Sequence, residues 1–119
     1  MKRKRKITGK KYIKSRKKKT YEHIGQKRIV KIGEENKKTK KVLGGNKKTV
    51  LLNTNQANIK KGNKIQKSKI KNVIETPSNR FLARQNILTK GTIIETEIGK
   101  ARIINRPSQD GCVNGILIE

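Results

Sequence analysis

The side chains in this chain with the numbers and spacing to do chemistry are lysine and arginine, and their chemistry is ionic. Residues 2–19 carry 12 cations and no acid. A run of this kind neutralises phosphates and releases condensed counterions, which gives strong, sequence-independent and salt-sensitive binding to a nucleic acid. A targeting patch needs only about five to eight basic residues, whereas residues 1–72 hold 27. Thr8-Gly9-Lys10 interrupts the run, and Gly9 lets the backbone come close to a phosphate. It is not a Walker A loop, because Lys4 stands five positions before Gly9 and Lys11 follows Lys10. Further along, Gly44-Gly45-Asn46-Lys47-Lys48 is first a turn. It also sets exposed N–H groups beside two cations, a second place for phosphate. In the stretch 64–71, strand period two puts Lys67, Lys69 and Lys71 on a common side.

Other chemistries find little support. Glu95 and Glu97 share a strand face, as an acid–base pair would, but Lys100 and Arg102 on the next strand offer ordinary cross-strand partners. His23 stands in the charged N-terminal stretch with no nucleophile pattern around it. Cys112 is the sole cysteine and follows Gly111 in an expected loop, half-buried. One cysteine and one histidine cannot build a four-ligand zinc site, so neither metal nor cofactor is expected. Three aromatics, Tyr12, Tyr21 and Phe81, form no interleaved stacking pattern. Recognition of backbone and shape in folded RNA therefore fits better than base stacking.

The elements that must position these cations follow from the charge distribution. The 119-residue chain has a net charge of +25. Residues 1–72 account for +24 and residues 73–119 for +1. No apolar run approaches the ~18 residues of a membrane span. The basic start resembles the n-region of a signal peptide, yet no apolar segment follows, so an intracellular protein is expected. Residues 1–36 hold 15 Lys and Arg and no defensible period. They read as an extended arm, disordered when free and ordered on its partner, with Tyr12, Ile13, Tyr21 and Ile24 as possible anchors. Residues 37–119 carry 23 large apolar side chains, nearly all aliphatic, and read as a modestly stable core domain.

Within that domain Gly44-Gly45-Asn46 marks a hairpin between Thr39–Leu43 and Lys47–Asn53. Gly62-Asn63 marks a turn before a long strand, Ile65–Glu75. Thr92–Glu97 and Ala101–Asn105 make another hairpin, with Gly99 at positive φ. Arg106–Gly111 reads as a loop and Val113–Ile118 as a final strand. Ser78 or Asn79 caps the only helix expected, one or two turns long. The fold class is all-β, a small β-barrel-like domain with one short helix and an extended basic N-terminal arm.

Several ordered strings resemble one family. They are Gly44-Gly45-Asn46 followed by Lys47-Lys-Thr-Val-Leu-Leu52, then Asn72-Val-Ile-Glu-Thr-Pro-Ser-Asn79, then the run from Arg84 to Arg102, and Arg106-Pro-Ser-Gln-Asp-Gly111. Together they resemble the archaeal and eukaryotic small-subunit ribosomal protein eight-e family, in its short archaeal form. Residues 84–118 are the most specific part. The resemblance implies a non-enzymatic structural component of the small ribosomal subunit, cytoplasmic, with small-subunit ribosomal RNA and other small-subunit proteins as partners. It also implies a barrel-like core with a basic arm reaching into RNA. No membrane or small-molecule substrate is expected. The arm here is almost all lysine, which favours point charges over bidentate contacts, and the large eukaryotic insertion is missing.

The RNA-binding residues expected in the arm are Arg3, Lys4, Arg5, Thr8, Gly9, Lys10, Lys11, Arg16, Lys17, Lys18, Lys19 and Arg28. On the domain they are Gly45, Asn46, Lys47, Lys48, Lys67, Lys69, Arg80, Arg84 and Arg106. The rival function is a free nucleic-acid chaperone or compacting protein.

Overall fold

Glycine-punctuated, β-branched sequence from Lys31 to Leu117 folds into eight strands joined by turns and short helices. A computed structural model describes residues 5–13, 15–25 and 27–118. In chain order the strands are β1 (Lys31–Ile32), β2 (Asn36–Lys41), β3 (Lys47–Thr54), β4 (Gln56–Lys61), β5 (Lys64–Glu75), β6 (Ile93–Thr96), β7 (Lys100–Ile103) and β8 (Asn114–Leu117). Two short helices, α1 (Arg80–Arg84) and α2 (Pro107–Asp110), sit between strands. The first three strands form a sheet in the order β1-β3-β2, and the last five close into a barrel.

Barrel closure has a simple geometric cause. Neighbours β4 to β8 run antiparallel in sequence order, and an odd number of strands in a ring forces one parallel pair. That pair is β4 with β8, Ile59 opposite Gly115. Strand β5 is long because it serves two neighbours: residues 64–69 pair with β4, and residues 70–75 pair with β6 across two register shifts. Such bulges bend a strand and strengthen its twist, which carries β5 around the barrel. Five strands leave a narrow interior, and small residues fill it where strands approach most closely. A Cβ at Gly115 would stand 3.1 Å from the carbonyl oxygen of Arg102 and 3.2 Å from Ile59.

The core is aliphatic. Ile59, Ile94, Ala101 and Ile103 are buried inside the barrel, with Leu51, Leu88 and Val113 closing it. Phe81 takes no part, being 63% exposed on α1. Expected turns stand where glycine permits them: Gly62 and Gly99 both have positive φ, and Asn79 caps α1 by accepting the Phe81 N–H at 3.0 Å.

Two expectations need correction. α1 is not the only helix, because the stretch 106–111, expected as a loop, contains α2. Pro107 opens it, the Asp110 carboxylate accepts the Arg106 N–H at 2.9 Å, and Gly111 ends it in the left-handed region. Gly111 is required twice over, since a Cβ there would meet the Thr49 carbonyl of β3 at 3.2 Å. Strand β4 stands where no strand is expected, because Gln56-Ala-Asn-Ile-Lys-Lys61 carries only one large apolar residue.

The basic N-terminal stretch also enters the packed body before residue 36. Val30 is 1% exposed, its carbonyl accepts the Leu88 N–H at 2.8 Å, and β1 runs parallel to β3. Ahead of it in the chain, Tyr12, Ile13, Tyr21 and Ile24 are all exposed and anchor nothing to the barrel. The radius of gyration is 20.7 Å, against about 13–14 Å for a compact chain of this length. The arm projects.

Candidate nucleic-acid interface

No Asp or Glu occurs from residue 36 to residue 74, and this acid-free stretch builds the β2–β3 and β4–β5 hairpins. The register then sets like against like. Lys40 lies opposite Lys48 and Lys41 opposite Lys47 at the β2–β3 tip. Lys61 lies opposite Lys64 at the β4–β5 tip. Directly opposed like charges cost a hairpin stability, and an external anion placed between them recovers it. Gly44 and Gly45, both at positive φ, make the first turn, and the Asn46 carbonyl closes it by accepting the Val42 N–H at 2.8 Å. Gly45, Asn46 and Lys47 are therefore grouped on one exposed tip. Lys48, beside them, also donates to Gln109 of α2 at 3.4 Å.

Lys67 and Lys69 both point outward from β5, on the side opposite buried Ser68 and Ile70. Lys67 is near Glu35, a carboxylate that tempers this face. Glu35 pairs with Lys37, and its carboxyl is held below the usual range. The Lys37 hydrogen bond is the main cause, with the Lys37 charge adding to it and Lys67 contributing less.

In the arm, Arg3 and Lys4 lie outside the described residues. Arg5 to Lys11 forms a miniature hairpin: Arg5 bridges Lys11, and Lys6 exchanges backbone hydrogen bonds with Gly9 and Lys10 at 2.9 and 3.0 Å. Thr8 and Gly9 form its turn, and Gly9 has positive φ with nothing within 4 Å of an added Cβ. Lys10 and Lys11 follow, exposed. Lys6 stands over the Tyr12 ring at 5.7 Å and Lys19 over Tyr21 at 5.9 Å.

Arg16 is differently placed, because both its terminal nitrogens donate to the Glu22 carboxylate. That pairing, and a further bond from the Lys19 N–H at 3.0 Å, hold the Glu22 carboxyl below its ordinary range. The arginine's charge is thus partly neutralised within the arm, whereas Lys17 and Lys18 stay exposed beside it.

Arg80 and Arg84 open and close α1, both exposed. Arg28 and Arg106, far apart in sequence, line the same cleft at the root of the arm together with Lys27 and Lys90. This convergence is tertiary in origin: the Val30–Leu88 backbone bond brings the arm's last residues against the segment after α1.

Lys40, Lys41 and Lys61 on the hairpin tips and Lys27 and Lys90 in the cleft are cations not among the residues expected from sequence. Counting outward from Gly44-Gly45 pairs Lys41 with Lys47, so those lysines carry a readable signal. Lys27 and Lys90 carry none. Among the described residues no group of His, Cys, Asp or Glu is placed to hold a metal, and no helix is long and apolar enough to cross a membrane. Glu95 faces Lys100 across the β6–β7 hairpin, as an ordinary cross-strand pair.

Known proteins share this sequence over nearly its whole length. The family model described as ribosomal protein S8e matches residues 1–118. A protein named small ribosomal subunit protein eS8 from Methanocorpusculum labreanum is 46% identical over 117 residues, covering 97% of this chain and 94% of the relative. A protein of the same name from Nanoarchaeum equitans is 43% identical, covering 95% and 91%. Another, from Methanocella arvoryzae, is 41% identical, covering 96% and 93%.

Proposed function

The chain belongs to the ribosomal protein S8e family, and from that premise we propose that it is a non-catalytic structural constituent of the small ribosomal subunit, bound to small-subunit ribosomal RNA and supporting translation. The observation that carries the RNA contact is the acid-free pair of hairpins, where Lys40 and Lys41 face Lys48 and Lys47 without a carboxylate between them. A protein that worked alone would gain by replacing these residues. A protein that meets a phosphodiester backbone gains by keeping them.

The arm-tip hairpin and the lysine-paired hairpins contact RNA phosphates. The exposed arginines of α1 extend this contact, Arg80 and Arg84 offering planar guanidinium groups for bidentate bonds. The near-neutral residues 73–119 complete the barrel and leave a face for neighbouring proteins of the subunit. The protein's place is then the cytoplasmic small subunit.

Sucrose-gradient sedimentation of lysate at about 0.1 and 0.5 M salt tests this, since phosphate contacts weaken steeply across that range. Co-migration with the small subunit at both concentrations is the expected result. Release into the light fractions at 0.5 M contradicts it and favours a free nucleic-acid chaperone.

A further inference from the structure

The cleft at the root of the arm contains more than a phosphate requires. Lys27, Arg28, Lys90 and Arg106 line it, and no carboxylate does, so its charge selects an anion. Its floor is apolar nonetheless. Its accessible apolar surface comes from Ile29, 49% exposed, and half-buried Leu82, with Val30, Ile87, Leu88 and Pro107 buried beneath them. Hydroxyls of Ser78, Thr89 and Ser108 stand along the walls. The cleft measures about 520 Å³, inside the range of roughly 300–1,000 Å³ typical of small-ligand sites.

Three kinds of surface in one concavity restrict what fits. A bare phosphate uses the cations and leaves the floor wet. An A-form duplex offers phosphates and 2′-hydroxyls but keeps its bases stacked and paired. A nucleotide out of its stack offers a flat, largely apolar base, a ribose with hydrogen-bonding groups, and an anionic phosphate on each side. Guanidinium planes also stack on bases, and two of the four cations here are arginines. We propose that this cleft takes a single unpaired ribonucleotide displaced from the bound RNA, its base against Ile29 and Leu82 and its phosphates at Arg28 and Arg106. This rests on the RNA-binding reading above and goes beyond it by assigning a conformation to the RNA. It also gives the arm a fixed departure point, because Lys27 and Arg28 belong both to the cleft wall and to the arm's last residues before β1.

The test uses the full chain and two RNA duplexes of one sequence, one perfectly paired and one with a single bulged 2-aminopurine. Affinity and 2-aminopurine fluorescence are read at one salt concentration. The bulged duplex is expected to bind about tenfold more tightly, the gain of seating one base, with a clear fluorescence change. In an Arg28→Ala/Arg106→Ala variant that preference falls to about unity, while affinity for the perfect duplex drops only as far as withdrawing two cations from the phosphates allows. Lys10→Ala/Lys11→Ala weakens both RNAs alike and keeps the preference. Thermal melting checks folding, and Lys90→Ala, with a partial loss of preference, gives an independent reading should the double variant melt early. Tight and equal binding of both duplexes overturns the nucleotide inference and leaves RNA binding standing. A preference that survives the cleft variants overturns it too, because the bulge is then read elsewhere on the chain. Failure to bind either duplex overturns the RNA-binding reading itself.

Discussion

Two hairpins of this molecule share an architecture and differ in electrostatics. In β6–β7, Glu95 faces Lys100, and the turn at Gly99 is tied by Thr96, whose hydroxyl donates to the Gly99 carbonyl at 2.7 Å. In β2–β3, lysine faces lysine twice, and every residue of β2 is exposed. The first hairpin satisfies itself, and its inward residues Ile94, Ala101 and Ile103 are core. The second is held down by its apolar residues Val50 and Leu51 but leaves its tip in unrelieved repulsion. The contrast locates where folding and binding are separately encoded. The neutral hairpin supplies stability, and the cationic one gives up a little stability for a partner.

The largest effects should come from breaking the neutral side. Ile94→Ala or Ile103→Ala removes a fully buried side chain from the narrow barrel and is expected to cost about 2–5 kcal/mol. Denaturant unfolding measures the loss, and a cost below about 1 kcal/mol would mean that the barrel is not the stable unit.

Next comes the arm. Deleting residues 1–19 removes 12 cations and no residue of the core, so the melting temperature should hardly change. The slope of log affinity for RNA against log salt should flatten, by about 0.9 for each duplex phosphate that the shortened chain leaves unneutralised. A domain that unfolds on this deletion would erase the distinction between arm and body.

The smallest effect is local. Because Arg16 and the Lys19 N–H depress the Glu22 carboxyl, the folded arm turn holds fewer protons than the open one. Its stabilisation is full above the ordinary carboxylate range and is lost as pH falls through the depressed value. Carboxyl NMR titration should place Glu22 below a free glutamate, and Arg16→Ala should return it towards the ordinary range.

Local geometry is legible in this sequence, and distant geometry is not. Gly44-Gly45-Asn46, Gly62-Asn63 and Gly99 can be read as turns because positive φ is a property of a few residue types. The alternation in Ile65–Glu75 reveals β5. α2 has signals, Pro107 at its start and Gly111 at its end, but four residues are too short for a periodic pattern to declare them. β4 escapes notice for want of apolar residues, and with it goes the strand count that forces the β4–β8 parallel closure. The basic face is visible as charge, whereas its lysine pairs depend on register. The cleft lies out of reach, because Arg28 and Lys90 meet only through the Val30–Leu88 bond. Val30 stands in Ile29-Val30-Lys31-Ile32, a β-branched cluster at the end of a basic stretch that is too short to announce β1 by its period.

Whether the cationic hairpin trades stability for binding is decided by a paired measurement on Lys41→Thr/Lys47→Thr, which replaces one cross-strand lysine pair with β-branched residues and touches no core side chain. Melting temperature and affinity for small-subunit ribosomal RNA are read on the same sample. The variant should be more stable by about 0.2–1 kcal/mol, since like charges no longer face each other, and should bind RNA more weakly with a flatter salt dependence. A variant that is less stable, or equally stable with unchanged RNA affinity, would contradict the claim that this hairpin gives up stability for its partner.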